Sequence, residues 1–330
     1  TGSADTVSLS SKPGRKNWAL ILGGAIVLLT VGVAIVGPGL APWDPLEEHT
    51  IIQTDDGWKT APFPAFTIPG FPLGSDPRGR DLLSRILWAV RPTMILITIV
   101  ALARLVVGTL VGLAAGWSSG RLGRVLDTAI ALALSVPTLM VALGMITAVG
   151  IEWGLVAFLI GLSVNGWAET ARLVRERTRL VKGQQYIEAA RALGQSDTQI
   201  IVGHVLRQVM PMVWMLLALE ISSTVMITSG LGFLGYFVGG DIWIEIEDYV
   251  ARQFSGMPEL GQMLATADMG IIRVSMTGIP WAMAAVGTVI FAIVLGFNVL
   301  GDGLQRQLSL EQAGRRRRVS ASTRSASVWL

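Results

Sequence analysis

The chain has no cysteine and only two histidines, His49 and His204, among its 330 residues. The first absence excludes disulfides and thiolate ligands, and two distant histidines cannot build a metal cluster, so we expect no metal site. Charge is scarce as well, because Asp, Glu, Lys and Arg make up only 15% of the residues whereas 52% are hydrophobic. A soluble domain of this length needs more charge on its surface. The composition therefore predicts a membrane protein.

Six apolar stretches are each long enough to cross a hydrocarbon layer of about 30 Å. They are 18–40, 92–117, 125–149, 153–171, 212–236 and 280–300. We therefore predict an all-α membrane protein with six transmembrane helices. Lys12, Arg15 and Lys16 precede the first stretch as they would a signal peptide, but its length and the missing cleavage pattern favour a retained anchor.

The distribution of basic residues predicts the orientation. With the N-terminus inside, 18 of the 26 Lys and Arg residues fall in cytoplasmic segments, as the positive-inside rule requires. Both termini are then cytoplasmic. The predicted organisation is an N-terminal tail, an anchor helix, an outer loop, a transmembrane core and a basic cytoplasmic tail, at 1–17, 18–40, 41–91, 92–304 and 305–330. Within the core, loop 184–211 lies inside and loop 237–279 lies outside.

The outer loop 237–279 begins with alternating acidic and apolar residues at 241–248. This alternation fits either a strand or a segment lying at the membrane interface. Its function is either to dock an external partner or to cap the bundle.

The cytoplasmic loop 184–211 has the pattern of a helix pair. Good helix formers run from Tyr186 to Leu193, and Gly194 follows where a helix C-cap favours a left-handed residue. Ser196 with Gln199 forms a capping-box pattern, which starts a second helix at about 197–208 before Pro211 opens the next apolar run. Ala189 and Ala190 add little bulk, so the first helix can enter a groove of another protein.

Motifs typical of enzymes occur without the context that they need. Ser118 lies in a nucleophile-elbow pattern, but that pattern ends a predicted span and has no histidine partner. The glycines of 230–235 match a dinucleotide fingerprint at the outer end of a span, without a βαβ unit. No Walker A pattern is present, so we expect no catalytic residue and no nucleotide site in this chain.

Two charged residues lie within predicted spans. Arg104 and Glu220 each cost about 3 kcal/mol or more inside a bilayer unless they are paired or hydrated. They either line a translocation path or pair with each other. Arg104 has two further alternatives, which are snorkelling and a contact across a subunit interface. Gly108, Gly112 and Gly116 repeat every four residues, which predicts a close helix contact.

Four segments together resemble permeases of ABC importers. Glu188-Ala189-Ala190, with Gly194 and 204–211, resembles the EAA motif. The segments 73–85, 230–235 and 297–304 resemble, in the right order, segments of the C-type permease subunit of the oligopeptide/dipeptide/nickel branch. Some positions depart from that pattern: Arg207 replaces a proline, and Gly232 replaces a serine.

The resemblance implies a type I ABC importer permease fold in a bacterial or archaeal plasma membrane. It also implies partners: a second homologous permease subunit forming a heterodimer, two cytosolic ATPase subunits that bind ATP and Mg²⁺, and an extracytoplasmic binding protein that delivers peptides. The resemblance also implies that the chain lies in a lipid bilayer, and it implies no nucleic-acid partner. This chain would form half of the translocation path without a catalytic site of its own.

The matching positions imply which residues couple to the ATPase. They are Tyr186, Glu188, Ala189, Ala190, Leu193, Gly194 and Asp197. Glu188 either stabilises the first turn of its helix or pairs with a basic ATPase residue. Other hypotheses remain: a proton-coupled secondary transporter with Arg104 and Glu220 inside the bilayer, a membrane enzyme, and a membrane-anchored scaffold.

Overall fold

A computed structural model describes residues 17–54, 57–150, 153–238, 242–247, 250–254, 258–265 and 280–326. The predicted N-terminal tail lies almost wholly outside these residues, and so does much of the outer loop 237–279.

Ten helices carry the fold of the described residues. They are α1 Trp18–Leu40, α2 Leu82–Trp117, α3 Gly120–Ser135, α4 Thr138–Val149, α5 Leu155–Gly166, α6 Ala168–Lys182, α7 Gln185–Ala192, α8 Asp197–Ile200, α9 Arg207–Phe233 and α10 Pro280–Ala326. A π-helical segment, Ile201–Leu206, joins α8 to α9, so the helix is continuous from Asp197 to Phe233.

Two antiparallel hairpins accompany the helices. β1 (Ile51–Thr54) pairs with β2 (Gly57–Thr60), with Ile51 opposite Thr60. β3 (Ile242–Glu247) pairs with β4 (Val250–Phe254), with Ile242 opposite Phe254. The all-α prediction therefore holds for the bundle but missed β1 and β2. For 242–247, the structure has the strand that alternation had offered as one alternative.

The six predicted spans are found only in part. Four helices of the described residues are long and apolar enough to cross a membrane, and a fifth span results if α3 and α4 count as one. The first prediction matches α1. The second predicted span begins at residue 92, later than α2, which begins at Leu82. Asp81 caps this helix by accepting a hydrogen bond from the Ser84 N–H at 2.7 Å. The helix then continues through Pro92.

The third predicted span, 125–149, is broken. The axes of α3 and α4 meet at 88°. Pro137 causes the break, since it has no N–H for a helical hydrogen bond and favours an extended residue before it. Val136 is extended, with φ −108° and ψ 130°, and its carbonyl accepts a hydrogen bond from Asn165 Nδ2 at 3.0 Å.

The remaining spans also differ at their ends. The fourth prediction, 153–171, falls on two helices, because α5 ends at Gly166 and α6 continues to Lys182. The fifth begins much earlier than residue 212, because Pro211 lies inside α9 and does not start it. The sixth, predicted at 280–300, continues as α10 to Ala326.

The predicted close contact of α2 is confirmed, and its neighbour is α6. A Cβ on Gly108 would lie 2.6 Å from the Trp167 carbonyl oxygen, and one on Gly112 would lie 2.6 Å from the Ala171 carbonyl oxygen. Each glycine therefore admits the α6 backbone where a side chain would exclude it. The two helices form one tight pair over more than two turns.

The segment 73–85 folds the outer loop onto the start of α2. The Asp76 carboxylate is 2.7 Å from Arg80 Nε and 3.6 Å from Arg85 Nε, and all three side chains are buried. Arg85 also donates to the Pro45 carbonyl at 3.2 Å. The part of the loop that precedes this segment has its own aromatic core around Phe63 and Phe71. These residues therefore build a small folded cap at the end of the bundle where α2 begins.

The segment 297–304 holds α10 between α9 and α1. Asn298 Nδ2 donates to Ser222 Oγ on α9 at 2.8 Å. Gly303 lies directly against the Leu20 backbone of α1, and its carbonyl accepts a hydrogen bond from Asn17 Nδ2 at 2.7 Å. The motif is thus a packing motif in this chain.

Candidate coupling site and intramembrane ion pair

The loop 184–211 forms the predicted pair of helices. Gly194 adopts φ +84°, and the Gln195 N–H bonds to the Ala190 carbonyl at 3.2 Å, which closes the end of α7. Both hydrogen bonds of the capping box between Ser196 and Gln199 are present at the start of α8. One expectation was wrong: the second helix does not stop near Gln208 but continues into the membrane as α9.

The residues of this loop divide into an inner and an outer face. Ile187, Ala190 and Ile200 are buried in a cluster with apolar side chains of α6 and α9. The exposed set is Tyr186, Glu188, Ala189, Leu193, Gly194 and Asp197. Leu193 is the most exposed large apolar side chain of the loop, at 84%. The two alanines thus face opposite ways: Ala189 is available to a partner, and Ala190 packs on this chain's own core.

Polar contacts fix α7 against the α8–α9 helix. Gln208 Nε2 donates to the Tyr186 hydroxyl at 2.7 Å, and the Tyr186 and His204 rings lie 6.2 Å apart. Arg191 is 3.6 Å from the Asp197 carboxylate. Partial burial raises the pKa of the Tyr186 phenol, against an opposing effect of the Arg177 charge, so the hydroxyl keeps its proton at neutral pH.

Trp117, at the end of α2, joins the loop to the bundle. The Arg191 guanidinium carbon of α7 lies 5.6 Å from the centroid of its ring, and Lys182 Nζ of α6 lies 5.2 Å from it. Lys182 also donates to the Trp117 carbonyl and, at 3.2 Å, to Ser119 Oγ. Sequence reasoning missed this residue, because the contact joins three segments that are far apart in the chain.

Arg104 and Glu220 pair with each other inside the bundle, as one of the two hypotheses held. Arg104 Nη1 is 3.7 Å from Glu220 Oε2, and Thr170 Oγ1 donates to Glu220 Oε1 at 2.5 Å. Arg104 Nε also donates to the Leu162 carbonyl at 2.8 Å, and Nη1 donates to Thr224 Oγ1 at 3.3 Å. The pair therefore ties α2, α5, α6 and α9 together at one level.

The burial of this pair bears on its role. Arg104 is 1% exposed and Glu220 is 7% exposed within this single chain. A side chain that lines a path between this chain and a second subunit would be exposed in the isolated chain, because a partner chain can only cover it further. Gly166 contributes to the fit, because a Cβ there would collide with the Arg104 guanidinium.

A short helical stretch within 258–265 fills the end of the bundle where α2 begins. The Leu260 N–H donates to Thr93 Oγ1 of α2 at 3.2 Å, and Gly261 lies against Gly232 of α9. Glu259 is buried there and accepts a hydrogen bond from the Val238 N–H at 2.9 Å. Burial raises the pKa of its carboxyl to about 7, and that hydrogen bond opposes the rise.

The glycines of 230–235 end α9 and serve this packing. Gly235 has φ +89°, and the Tyr236 N–H bonds to the Leu231 carbonyl at 2.8 Å, as in a glycine C-cap. The fingerprint pattern is therefore a helix end, as expected from its position. Among the described residues, no group of three or more His, Cys, Asp or Glu side chains could hold a metal ion.

Comparisons with known proteins agree with this architecture. The family model of the binding-protein-dependent transport system inner membrane component matches residues 108–310. The dipeptide transport system permease protein DppC of Haemophilus influenzae is 26% identical over 295 residues, which cover 89% of this chain and 91% of that protein. The di/tripeptide transport system permease protein DppC of Pseudomonas aeruginosa is 29% identical, with 87% and 86% covered.

Two further comparisons extend the similarity. The glutathione transport system permease protein GsiD of Pectobacterium atrosepticum is 27% identical over 303 residues, which cover 90% of both proteins. A chain of the MetNI methionine ABC transporter in an inward-facing conformation superposes with a TM-score of 0.51 at 18% identity, covering 67% of this chain and 95% of that one. That superposition shows a shared fold.

The family match covers more than half of the chain and includes α6 to α9, the helices that form and carry the loop 184–211. The chain therefore belongs to the binding-protein-dependent transport system inner membrane component family, as a non-catalytic permease subunit of an ABC importer in the oligopeptide and dipeptide branch.

Proposed function

We propose that this chain forms half of the translocation path for di- and oligopeptides in an ATP-driven importer. Its partners are a second, homologous permease subunit, two cytosolic ATPase subunits that bind ATP and Mg²⁺, and an extracytoplasmic binding protein. The names of two relatives, a dipeptide and a di/tripeptide transport system permease protein, support peptides as the substrate class. The observation that carries the proposal is the division of α7 and its C-cap into a face packed on the bundle and an exposed face with Glu188 and the C-cap residue Leu193.

The proposed topology has six spans and both termini in the cytoplasm of a bacterial or archaeal cell. α3 with α4 forms one broken span, and α5 with α6 forms another. The anchor helix, the outer loops and the basic tail then keep the organisation inferred from the basic residues. The cap built by 73–85 and the segment 258–265 lie on the outer side, where a binding protein arrives.

The coupling mechanism follows from how α7 is held. Ile187 and Ala190 bury its inner face, and Arg191 fixes it to Trp117. A displacement of α7 by a closing ATPase pair therefore reaches α2, α6 and α9 without passing through a flexible joint. ATP and the loaded binding protein shift the population between inward-open and outward-open states by binding one state better than the other.

For Arg104 and Glu220, we propose a structural role within this chain. Their mutual pairing and their burial support a tie that keeps four helices in one arrangement during the transition. Glu188 on α7 and Leu193 at its C-cap, both exposed, are the proposed contacts to the ATPase.

A cross-linking experiment tests the coupling face. Since the chain has no cysteine, Leu193→Cys introduces its only thiol, which can carry a photoactivated cross-linker. We expect the purified complex to yield a product of this chain with an ATPase subunit. Trp58→Cys in β2, 71% exposed at the outer end, is the matched control and should yield no ATPase product. Failure of Leu193→Cys to cross-link to the ATPase would remove the coupling assignment.

A further inference from the structure

The bend between α3 and α4 is an exposed break in the regular backbone. It consists of Ser135, Val136 and Pro137, and we call it the elbow. Ser135 and Pro137 are exposed, and so is Val136, at 45%. The first turn of α4 beyond it carries Met140, which is 67% exposed. The elbow thus faces away from the rest of this chain.

Several main-chain groups at the elbow have no backbone partner among the described residues. Pro137 has no N–H, so the Ala133 carbonyl loses the donor that a continuous helix would supply. The same holds for the carbonyls of Leu134 and Ser135, because the first N–H groups of α4 do not reach back across the bend. The Val136 carbonyl alone has a side-chain donor, Asn165.

The elbow lies at the depth of the ion pair, inside the apolar part of the bundle. Arg104 is thirteen residues before Trp117 at the cytoplasmic end of α2, about 20 Å at 1.5 Å per residue. Leu162 bonds Arg104, and Asn165, less than one turn further along α5, bonds the elbow. The free carbonyls are therefore deep in the span and cannot reach water at either membrane surface.

Free main-chain groups at this depth require a specific environment. Non-helical backbone in a membrane is tolerated where protein covers it or where it lines a water-filled cavity, because lipid cannot satisfy its hydrogen bonds. This chain leaves the elbow uncovered. The α3–α4 span is broken at this level, at the elbow, and broken helices at mid-depth are the places where transporters build substrate sites.

We infer that the elbow lines the aqueous path and forms hydrogen bonds with the main chain of the transported peptide. The carbonyls of Ala133, Leu134 and Ser135, which end α3 without main-chain donors in the described part of the chain, can accept hydrogen bonds from peptide N–H groups. Such contacts do not depend on peptide side chains, so they suit a path that must pass many sequences. This inference rests on the proposed function and adds to it the place and chemistry of one peptide contact.

Single thiols test the elbow in the complete transporter, reconstituted in vesicles and freed of nucleotide. Ser135→Cys and Thr138→Cys are treated with a charged, membrane-impermeant methanethiosulfonate, and modification is measured on this subunit. Leu29→Cys, near the middle of α1 and 68% exposed, is the control for a residue in lipid. We expect Ser135→Cys to react at least about tenfold faster than Leu29→Cys, since only a hydrated thiol ionises. Millimolar trialanine should slow that reaction at least threefold.

Two results would overturn the inference. If Ser135→Cys and Thr138→Cys both react as slowly as Leu29→Cys, the second permease subunit covers the elbow and no path passes it. If both react fast but trialanine has no effect, the elbow is wet without touching peptide. ATP-driven trialanine uptake by the same vesicles distinguishes failure of the proposed function from failure of this inference. If the wild-type chain, which has no cysteine, supports no uptake, the proposed function is refuted. If uptake proceeds but the cysteines at the elbow are labelled slowly, only the role of the elbow is refuted. Uptake by unlabelled Ser135→Cys also shows that the variant folds.

Discussion

Glu220 and Arg104 illustrate how single residues set the geometry of this bundle. Each charge would be costly alone in the apolar interior, and each is buried with hydrogen-bond partners from other helices. Thr170 and Thr224 satisfy part of the carboxylate and part of the guanidinium. A misplaced helix would leave one charge uncompensated, so the pair favours one arrangement of four helices over its alternatives.

Because Arg104 and Glu220 pair with each other, we expect the stability losses of their single mutants not to add in the double mutant. Arg104→Met or Glu220→Leu alone should cost about 3–5 kcal/mol of stability, because the remaining charge stays buried without its partner. The combination should cost clearly less than the sum, since no charge is then left. Thermal unfolding of the purified complex measures this, with Arg121→Met, an exposed site, as the control. Additive losses would show that the two side chains do not interact.

We expect the carboxyl of Glu259 to make the stability of the native protein depend on pH. Because the pKa of its carboxyl rises from about 4.5 to about 7 on folding, the native protein keeps a proton that the unfolded chain loses. This contribution to stability is therefore present at low pH and is lost as the pH rises from about 4.5 through 7, by about 3 kcal/mol in total.

The measurement compares wild type with Glu259→Gln at pH 5.5 and pH 8. The glutamine keeps an acceptor for the Val238 N–H but cannot ionise, so the variant should gain stability relative to wild type at the higher pH. Glu188→Gln, an exposed site, should leave the pH dependence unchanged. Equal pH profiles for wild type and Glu259→Gln would refute the assignment.

At the scale of elements, α2 links the two ends of the molecule. It is 36 residues long, so it extends about 54 Å. Its inner end carries Trp117 against the coupling loop, its middle carries Arg104, and Thr93 near its outer end bonds the segment 258–265. With α6 held tightly along one face, it is suited to transmit a displacement between the two membrane surfaces.

Trp117 should therefore be needed for coupling. We expect Trp117→Leu to leave the complex assembled and hydrolysing ATP but to lower peptide uptake per ATP at least about fivefold, because Arg191 then loses the ring that it packs on. Trp117→Phe, which keeps a ring for both cations, should restore most of the ratio. Trp153→Leu, at a 62% exposed tryptophan, is the control. An unchanged uptake ratio in Trp117→Leu would rule out this link.

The contact between α2 and α6 predicts that one methyl group matters. Gly112→Ala should destabilise the complex by at least about 1 kcal/mol, because the new Cβ would lie 2.6 Å from the Ala171 carbonyl and 2.7 Å from Val174 Cβ. Gly32→Ala in α1, with open space around it, should be neutral or mildly stabilising. Thermal unfolding of the two variants measures the difference, and similar effects would contradict a tight helix pair.

The elements were predictable to different degrees. The anchor α1 and the caps at Gly194 and Ser196 follow from local rules, so the sequence predicted them correctly. Pro137 was visible as a helix breaker, yet the apolar run 125–149 masked the bend, because hydropathy does not distinguish a straight span from a broken one. The early start of α2 depends on Asp81 as a cap within a loop that lacks periodicity.

At the scale of the whole molecule, the site was harder to predict than the fold. The sequence indicated the coupling loop, but not that Ala190 faces inward, since that depends on which side of α7 meets α6 and α9. It offered pairing of Arg104 with Glu220 only as one of two hypotheses. Trp117, Thr170 and Asn165 act through contacts between residues far apart in the chain, which no local pattern specifies.

Under the proposed function, a cytoplasmic displacement opens a peptide path between two permease subunits. In that proposal, the exposed Leu193 face receives the displacement, α2 with α6 carries it, and the elbow marks where the α3–α4 span is broken. A proton-coupled secondary transporter would need none of the ATPase contacts. The energy source is thus the property that separates the two hypotheses.

Uptake of labelled trialanine by vesicles containing the complete complex tests most directly whether ATP is the energy source. With ATP and Mg²⁺ on the ATPase side and the loaded binding protein on the other, uptake should proceed, persist when a protonophore dissipates the proton gradient, and stop when ATP is omitted. Uptake that an imposed proton gradient drives without ATP, and that a protonophore abolishes, would contradict the account.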